Sequence, residues 1–344
     1  MTLVQNLRKD TILCVYRQCL SLKVTKKSLN IKTNVRGGTK CQRFFVSLHP
    51  TMLCIPKDME KAKRILFLTQ EIEPYVTDTA LSSISRKLIP AVQETGREVR
   101  TFTPKWGNIN ERRNQLHEVI RLSGMNLIID DTDHQLIIKV ASINAARIQV
   151  YFIDNDDFMK NRLLIADENG KLYKDNVERA MFFARGSLET VKKLRWTPEV
   201  VHCQGVMSSL APYLIKLAYY DEPSFRESKM VYTPTTNLPE EAPLPKNFAG
   251  VLAYREASKA ALATLGDLAT LDDLNRIGMF MSDGVVLNEP DERYERMARE
   301  MGKPVAVLDQ NNIADGPTQL YDMLWDEVIK RRPKKDDDDE GFLF

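Results

Sequence analysis

Residues 64–104 read RILFLTQEIEPYVTDTALSSISRKLIPAVQETGREVRTFTP, and this stretch decides the fold. Its first seven residues form an apolar run that favours a buried strand. Leu81, Ile84 and Leu88 then recur at helical spacing on one face, and Gly96 is a helix stop. The closing REVRTFTP favours a second strand. A strand, a helix and a strand within about forty residues predict a parallel pair joined by a right-handed crossover.

The same alternation of strands and helices continues downstream. Strands are predicted for NLIID, QLIIKVAS, IQVYFID, PEVVHCQ, KMVYTPT, DGVVLN and PVAVLD. Helices are predicted for DNVERAMFFARGSLETVKKLRW, SSLAPYLIKLAYY, SKAALATLGDLATLDDLNRIGMFM and PDERYERMAREMG, and around Tyr321 to Lys330. The first of these helices has a cap at Asp175 or Asn176. The fourth has Pro290 in its first turn and Gly302 at its end. Four prolines make residues 234–248 an irregular loop. The class is therefore α/β, a single doubly wound parallel sheet that would bind ligands beyond the carboxyl ends of its strands.

The charge distribution divides the chain of 344 residues into unlike parts. Residues 1–58 hold 11 Lys and Arg against 2 Asp, a net of +9, so residues 59–344 carry 38 basic and 45 acidic side chains, a net of −7. The basic extension 1–58 fits a transit peptide, a basic arm, or upstream sequence translated ahead of a true start at Met59, and the last of these is favoured. We expect a domain over residues 59–330 and a charged tail over residues 331–344.

Composition excludes several classes of protein. The content of 43% hydrophobic and 28% charged residues is typical of a globular protein with a sizeable core. No apolar run approaches the roughly 20 residues of a membrane span, so no membrane partner is predicted. The acidic main part has no basic patch interleaved with aromatics, which disfavours nucleic acid. Beyond Cys14, Cys19, Cys41 and Cys54 only Cys203 remains, which indicates a reducing compartment and predicts a cytoplasmic protein.

Motifs for metal, nucleotide or nucleophilic chemistry are missing from the sequence. The acidic runs Asp154 to Asp157 and Asp130 to Asp133 have neither the glycine nor the further carboxylate of a hard-cation loop, so ordinary turns are favoured and no metal is predicted. His202 and Cys203 are neighbours on a strand and point to opposite faces. GxSxG, GxGxxG and GxxxxGK[ST] do not occur.

Several blocks together carry a resemblance to a known family. ILFLTQEIEPY, LSSISRKLIPAVQETGREVRTFTPKW, VYFIDN, YKDNVERAMFFARGSLE and PEVVHCQGVMSSLAPYLIK resemble, in order and spacing over residues 63 to about 290, the starch synthase catalytic domain. This domain is the amino-terminal half of bacterial glycogen synthases and plant starch synthases, which are GT-B glycosyltransferases. The pattern YxDNxxR followed by FF is specific in that context. The resemblance implies a Rossmann-like domain without the second GT-B domain, as in short bacterial members.

The resemblance also implies a reaction. Family members transfer glucose from ADP-glucose to the non-reducing end of an α-1,4-glucan, with retention and without a metal or other cofactor, in a cleft between two Rossmann-like domains. The first domain offers the acceptor face, and the second supplies most of the contacts to the donor nucleotide.

Three family motifs are altered in this chain. Alignment of Pro74 and Leu81 with the KxGGL loop places Thr77 at the lysine and Thr79 and Ala80 at the glycines. The HxHDW motif falls on His202, Cys203, Gln204, Gly205 and Val206, so that Gln204 stands at the second histidine, and TIHN falls on residues 233–236. Glutamine cannot take a positive charge, and the loop has lost a cation near the donor phosphates. Degraded or partner-dependent catalysis is therefore expected.

Three hypotheses of function remain open from the sequence. The chain still transfers glucose when a synthase partner chain or self-association completes the cleft, or it is a non-catalytic module that binds or regulates through α-glucan, or it is a scaffold without a sugar site. Candidate sugar contacts are Lys105, Trp106, Asp154, Asn155 and Gln204. Trp106 equally fits half-buried packing at a strand end.

Overall fold

The structure is a computed structural model that describes residues 60–332 except 237, 240 and 241. The expected basic extension and nearly all of the charged tail lie outside these residues. The strands are β1 Arg64–Thr69, β2 Glu98–Pro104, β3 His117–Glu118, β4 Met125–Ile129, β5 Thr132–Ile143, β6 Ile148–Asp154, β7 Val200–Gln204, β8 Lys229–Thr233, β9 Gly284–Leu287 and β10 Val305–Val307. The helices are α1 Ala80–Glu94, α2 Asn176–Lys193, α3 Leu210–Leu217, α4 Phe248–Val251, α5 Asp273–Met281, α6 Glu292–Glu300 and α7 Asp315–Arg331, and 3-10 turns cover Asn144–Ala146, Val206–Ser208 and Lys259–Leu265.

The strands form one sheet in the order β10-β9-β8-β7-β1-β2-β6-β5-β3, with β4 paired to β5. From β1 the chain moves outward through β2 and β6, returns to the other side of β1 with β7, and continues outward to β10. The sheet is therefore doubly wound, as predicted, and its order reverses between β1 and β7. We call the carboxyl ends of these two strands the switch point, where open α/β sheets bind ligands.

Strands β3, β4 and β5 depart from the predicted parallel arrangement at one edge of a mostly parallel sheet, because β5 pairs antiparallel with β3, β4 and β6. The connection from β4 to β5 is only Asp130 and Asp131, both with positive φ of 43° and 64°. A two-residue turn of this kind joins antiparallel neighbours, since a parallel pair needs a long crossover. The hairpin therefore extends an otherwise parallel sheet at one edge.

Helices cover both faces of the sheet. Ser85 of α1 contacts Thr69 and Gln204, and Tyr321 of α7 contacts His202, so α1 and α7 share one face. On the opposite face α5 packs on Tyr232, α3 packs between α2 and α5, and α2 also covers β4 and β6. The central strand β1 is buried along nearly its whole length, which matches its apolar sequence.

Three helix boundaries differ from the predictions. Gly266, with φ 71° and ψ −147°, separates the 3-10 turn from α5, so the predicted long helix is interrupted. Pro290 precedes α6, whose N-cap is Asp291 and whose first residue is Glu292. The closing helix α7 begins at Asp315, six residues before the predicted start at Tyr321. Backbone conformation and side-chain capping set these ends, and apolar spacing does not report either of them.

Gly278 of α5 provides a test of the packing of this helix on the sheet. A Cβ at this position would lie 2.7 Å from two ring atoms of Tyr232, which is fully buried and hydrogen-bonded to Asn275. We expect Gly278→Ala to lower the free energy of unfolding by about 1 to 3 kcal/mol, although alanine favours a helix, because the ring cannot move aside. Urea unfolding measures this value. In a Tyr232→Leu background the same substitution should cost less, and an equal cost would contradict the explanation.

Candidate functional site

The switch point carries polar side chains that protein atoms bury almost completely. Thr69, Gln70 and Glu71 follow one another at the end of β1, and Gln204 ends β7 beside them. None of the four is more than 4% exposed. Buried polar groups are costly unless they are hydrogen-bonded, so the contacts among these residues decide whether this corner is open or closed.

Gln70 fills the space next to Gly205. Its Nε2 donates to Glu71 Oε1 at 3.0 Å, its Oε1 accepts from the Met207 backbone N–H at 3.3 Å, and its carbonyl accepts from Trp106 Nε1 at 2.7 Å. Gly205 has φ 86°, and a Cβ there would collide with the Gln70 amide. In the resemblance to HxHDW this is the aspartate position. A glycine is required, both for its backbone conformation and for the room that Gln70 occupies.

Glu71 brings a carboxyl group to the loop where the family motif has a lysine. Thr79 Oγ1 donates to Glu71 Oε2, and the same Thr79 caps α1 by accepting from the Ser82 N–H at 3.1 Å. Burial raises the pKa of Glu71, and the hydrogen bonds from Thr79 and Gln70 partly oppose that rise. Thr77, at the lysine position, is exposed and donates to Asp78 Oδ2 at 2.8 Å. The loop offers oxygen atoms at the position of the family's cation.

The remaining positions of this motif are structural parts of the helix. Ala80 is the first residue of α1, and Leu81 is buried in the core. Thr79 and Ala80 therefore support the helix start instead of leaving room for a ligand, as two glycines would.

Gln204 is fully buried at the family's histidine position. Its Oε1 accepts from Ser85 Oγ at 3.3 Å. Among the residues that the structure describes, its Nε2 has no hydrogen-bond partner, and neither has Thr103 Oγ1 on β2, which lies on the other side of β1. A neutral donor thus replaces an imidazole in this corner. Contact between Gln204 and a sugar stays a prediction.

His202 and Cys203 have no catalytic geometry. The two ring nitrogens of His202 bond Tyr321 OH at 2.6 Å and Thr233 Oγ1 at 2.8 Å, so both are occupied. Burial lowers the pKa of His202 to about 3 and raises the pKa of the Cys203 thiol. Cys203 pairs in register with Tyr232 on the face opposite α1, which confirms the predicted opposite orientation. His202 is therefore a neutral core residue near pH 7.

Of the TIHN positions, Thr233 and Thr235 bind protein atoms. The Thr233 hydroxyl shares a hydrogen bond with His202 Nε2, and Thr235 Oγ1 accepts from the Val206 N–H at 2.8 Å. These contacts tie β8 and its following loop to β7.

Trp106 lies in the core, which corrects its role as an exposed sugar platform. It is 1% exposed, its Nε1 is bound to the Gln70 carbonyl, and the Arg179 guanidinium lies 5.0 Å from its ring centre. Its ring faces are covered by protein, so it is even more buried than the half-buried alternative.

Lys105 and Asp154 belong to a chain of alternating charges. Lys105 Nζ lies 2.9 Å from Glu111 Oε1, and Lys139 Nζ lies 2.7 Å from both Glu111 Oε1 and Asp154 Oδ2. The two lysines and two carboxylates neutralise one another at the ends of β2 and β6. Both candidate sugar contacts are thus engaged internally, and contact with a ligand stays a prediction.

Asn155 organises the turn after β6. Its Oδ1 accepts from the N–H groups of Asp157 and Phe158, and its Nδ2 donates to the Gln135 carbonyl at 2.9 Å. Acidic residues at such turns are common without a metal. In the part of the chain that the structure describes, no group of three His, Cys, Asp or Glu side chains is arranged to hold a metal ion.

The YKDNVER motif holds the loop between β6 and α2. Arg162 Nη1 donates to Asp175 Oδ1 at 2.6 Å, and Asn176 Nδ2 donates to the Ile165 carbonyl at 2.8 Å. Arg179 is fully buried and donates to the carbonyls of Phe158, Leu163 and Leu164. Although Asp175 is at the N-cap position, neither its side chain nor that of Asn176 caps the helix, which corrects that expectation. The motif is a loop anchor.

Two surface clefts adjoin this loop and were missed by sequence reasoning. The Asp133 cleft, about 320 Å³, is lined by Asn126, Asp133, Gln135, Ile137, Asn155, Asp156 and Asp157. The Tyr173 cleft, about 390 Å³, is lined by Gly107, Asn108, Asn161, Leu163, Asp167, Glu168, Asn169 and Tyr173. Each joins segments far apart in sequence, so only the turn-rich DENG run at 167–170 hinted at a surface feature.

Comparisons with known proteins identify relatives of this chain. A family model described as the starch synthase catalytic domain matches residues 64–303. The chain is 34% identical over 205 residues to a glycogen synthase of Chlorobium limicola, covering 59% of this chain and 42% of that protein. It is 32% identical over 198 residues to a glycogen synthase of Pelodictyon phaeoclathratiforme, covering 57% and 40%. The chain thus spans about two fifths of these relatives.

A solved structure supports the fold. The catalytic domain of starch synthase IV from Arabidopsis thaliana, bound to ADP and acarbose, superposes with a TM-score of 0.52 at 14% identity, covering 72% of this chain and 51% of that one. The likeness shows a GT-B type of sheet. None of the described helices is long and apolar enough to cross a membrane.

The buried His202 predicts a dependence of stability on pH. The unfolded chain binds a proton on this histidine below about pH 6.5, whereas the folded protein binds it only near pH 3, so stability falls as the pH drops through that window. Relative to His202→Gln, we expect the wild type to lose about 2 kcal/mol of unfolding free energy between pH 7 and pH 5.

Urea unfolding at both pH values measures this difference. Imidazole NMR of the folded protein is the second readout, and His202 should stay neutral down to pH 4.5. A parallel pH dependence of the two proteins would contradict the assignment of a neutral buried histidine.

Proposed function

The chain belongs to the starch synthase catalytic domain family, and on this premise we propose that it is a synthase-like protein of α-1,4-glucan metabolism that binds glucan without transferring glucose on its own. The proposal covers residues 59–330 as the family domain and a cytoplasmic location. Acceptance of a glucan follows from the family, and loss of autonomous transfer follows from the switch point.

The filled switch point carries the proposal. Gln70 occupies the room beside Gly205, and its bonds to Glu71, Met207 and Trp106 fix it there. A sugar at this corner would have to displace a buried side chain and leave its partners unsatisfied. In the family's KxGGL loop, two glycines leave room for a ligand, so a sugar displaces no side chain.

Charge at the same corner supports the loss of transfer. A departing nucleoside diphosphate needs fixed cationic donors, each worth roughly a hundredfold or more in rate. Thr77 and Gln204 stand at the family's lysine and histidine, and Glu71 adds a buried carboxyl group. Neutral His202, with both nitrogens engaged, cannot replace the missing charge.

Transfer that requires a second chain is the other candidate. The chain spans about two fifths of the glycogen synthases that it matches, and family members react in a cleft between two domains. A synthase partner or a second copy that supplied the donor contacts would restore a cleft. The filled corner disfavours this candidate, because a partner adds residues outside the corner and does not remove Gln70.

Transfer and binding are tested in one tube. The full chain is mixed with labelled ADP-glucose and glycogen, and the glycogen is sedimented. We expect the protein in the pellet and no label in the polymer, because the family acts on glucan and Gln70 fills the switch point. Glycogen digested with amylase is the control and should leave the protein in the supernatant.

Two results would contradict the proposal. Label in the polymer would show that the corner opens and that the chain transfers glucose on its own. Protein that stays in the supernatant with intact glycogen would remove glucan binding and favour a scaffold.

A further inference from the structure

We propose that the Tyr173 cleft is the glucan-binding site, and that it takes a short segment of uncharged α-glucan. The inference rests on the proposed function and names the surface that performs it. The cleft lies between the loop after β2 and the loop after β6, at the carboxyl edge of the sheet. Its volume of about 390 Å³ lies in the range of small-molecule sites.

Backbone contacts hold the two walls of the cleft together. The Gly107 N–H donates to the Arg162 carbonyl at 2.7 Å, which joins the loop after β2 to the loop after β6. Asp167 Oδ1 accepts from the N–H groups of Asn169 and Lys171, both at 2.9 Å, and shapes the tight turn of the second wall. A preformed site loses little entropy on binding.

The family motif fixes the base of the same cleft. Arg179 binds three carbonyls of the loop, and its guanidinium lies 4.8 Å from the Tyr173 ring centre. Arg162, paired with Asp175, lies 5.0 Å from the same ring. Tyr173 OH accepts from the Leu163 N–H at 3.2 Å. The residues of the YKDNVER motif, which is specific for the family, thus hold this loop in place. A binding surface requires such support.

The polar groups that face the cleft are available for a ligand. Within residues 60–332, gaps aside, the side-chain amides of Asn108, Asn161 and Asn169 and the carboxylate of Glu168 have no protein hydrogen bond. An amide both donates and accepts, and so does a sugar hydroxyl. Leu163 and the edge of Tyr173, both only partly exposed, add limited apolar surface, since Arg162 and Arg179 lie over the tyrosine ring. Side-chain amides beside a small apolar surface can therefore bind the hydroxyl groups of a sugar.

Charge at the cleft decides between sugar and sugar nucleotide. Two lining side chains, Asp167 and Glu168, carry carboxylates, and no lysine or arginine is among the described lining residues. The phosphates of ADP-glucose would meet repulsion from these carboxylates, and the nearby Arg162 and Arg179 are already engaged by Asp175 and by backbone carbonyls. An uncharged glucan meets none, so the cleft fits an acceptor chain and not a donor.

The Asp133 cleft is less suited, because three of its polar side chains are bound to protein and it carries three carboxylates, Asp133, Asp156 and Asp157. Asn155 uses both ends of its amide, Asp157 Oδ2 lies 2.8 Å from His134 Nδ1, and Asp156 Oδ2 lies 3.0 Å from Lys160 Nζ. Its exposed amides, Asn126 and Gln135, provide a matched control for the other cleft.

The test compares two pairs of amide-to-alanine substitutions in the full chain. Binding of maltoheptaose is measured by titration calorimetry, and mobility is measured in gels that contain glycogen. We expect Asn108→Ala with Asn169→Ala to weaken binding about tenfold, because two hydrogen bonds are lost. Asn126→Ala with Gln135→Ala should bind like the wild type. All these residues are exposed, and thermal unfolding should show equal stability.

Each other outcome overturns a defined part of the argument. Wild-type affinity in the Asn108 and Asn169 double variant, with glycogen still bound, would remove the Tyr173 cleft but leave the proposed function. Equal losses in both double variants would also remove the assignment. Competition of ADP-glucose with maltoheptaose for the cleft would overturn the uncharged ligand class. A wild type that binds no glucan would overturn both the proposed function and this site.

Discussion

The burial of β1 between β2 and β7 is the constraint on which the rest of the structure depends. Both neighbours run parallel to β1, and helices cover both faces, so the polar residues at its carboxyl end have no direct access to water. Thr69, Gln70 and Glu71 must therefore find partners within the protein, and they find them in Ser85, Met207 and Thr79. In a fold that normally binds ligands at this point, internal hydrogen bonds take the place of a ligand's contacts.

The filled switch point and the anchored loop after β6 both follow from the rule that buried polar groups need hydrogen-bond partners. Removal of a cation and two glycines allows the chain to bury its own carboxyl and amide groups at the switch point, where each is satisfied or nearly so. The loop after β6 meets the opposite condition, because its backbone carbonyls point inward and the fully buried Arg179 binds three of them. Burial lowers the pKa of Arg179 to about 10, which still leaves it charged at neutral pH. Its loss would leave three carbonyls unpaired.

Nine of the ten described strands could be predicted from the sequence, because each contains an apolar run bounded by turn residues, whereas the exposed two-residue β3, His117–Glu118, has no apolar pattern and was missed. The burial of Trp106 could not be predicted, since its hydrogen-bond partner is the Gln70 carbonyl, 36 residues away, and Arg179 of helix α2 covers its ring. The same holds for Lys105, whose charge is neutralised through Glu111 and Lys139. Residue type and strand ends indicate where a site lies, but burial depends on contacts that no local pattern contains.

The most specific motif of the chain therefore supports the framework and not the chemistry. Asp175, Asn176 and Arg179 all point their polar groups at one loop, and none of them reaches the switch point. Substitutions of these residues would leave loop carbonyls unpaired, whereas the departures from the family motifs at Thr77, Gln204 and Gly205 are accommodated because Gln70 fills the room beside Gly205. Membership in a synthase family is thus compatible with a switch point that protein side chains fill. The surface that these residues hold in place lies at the rim of the sheet beside Tyr173, where we propose that glucan binds.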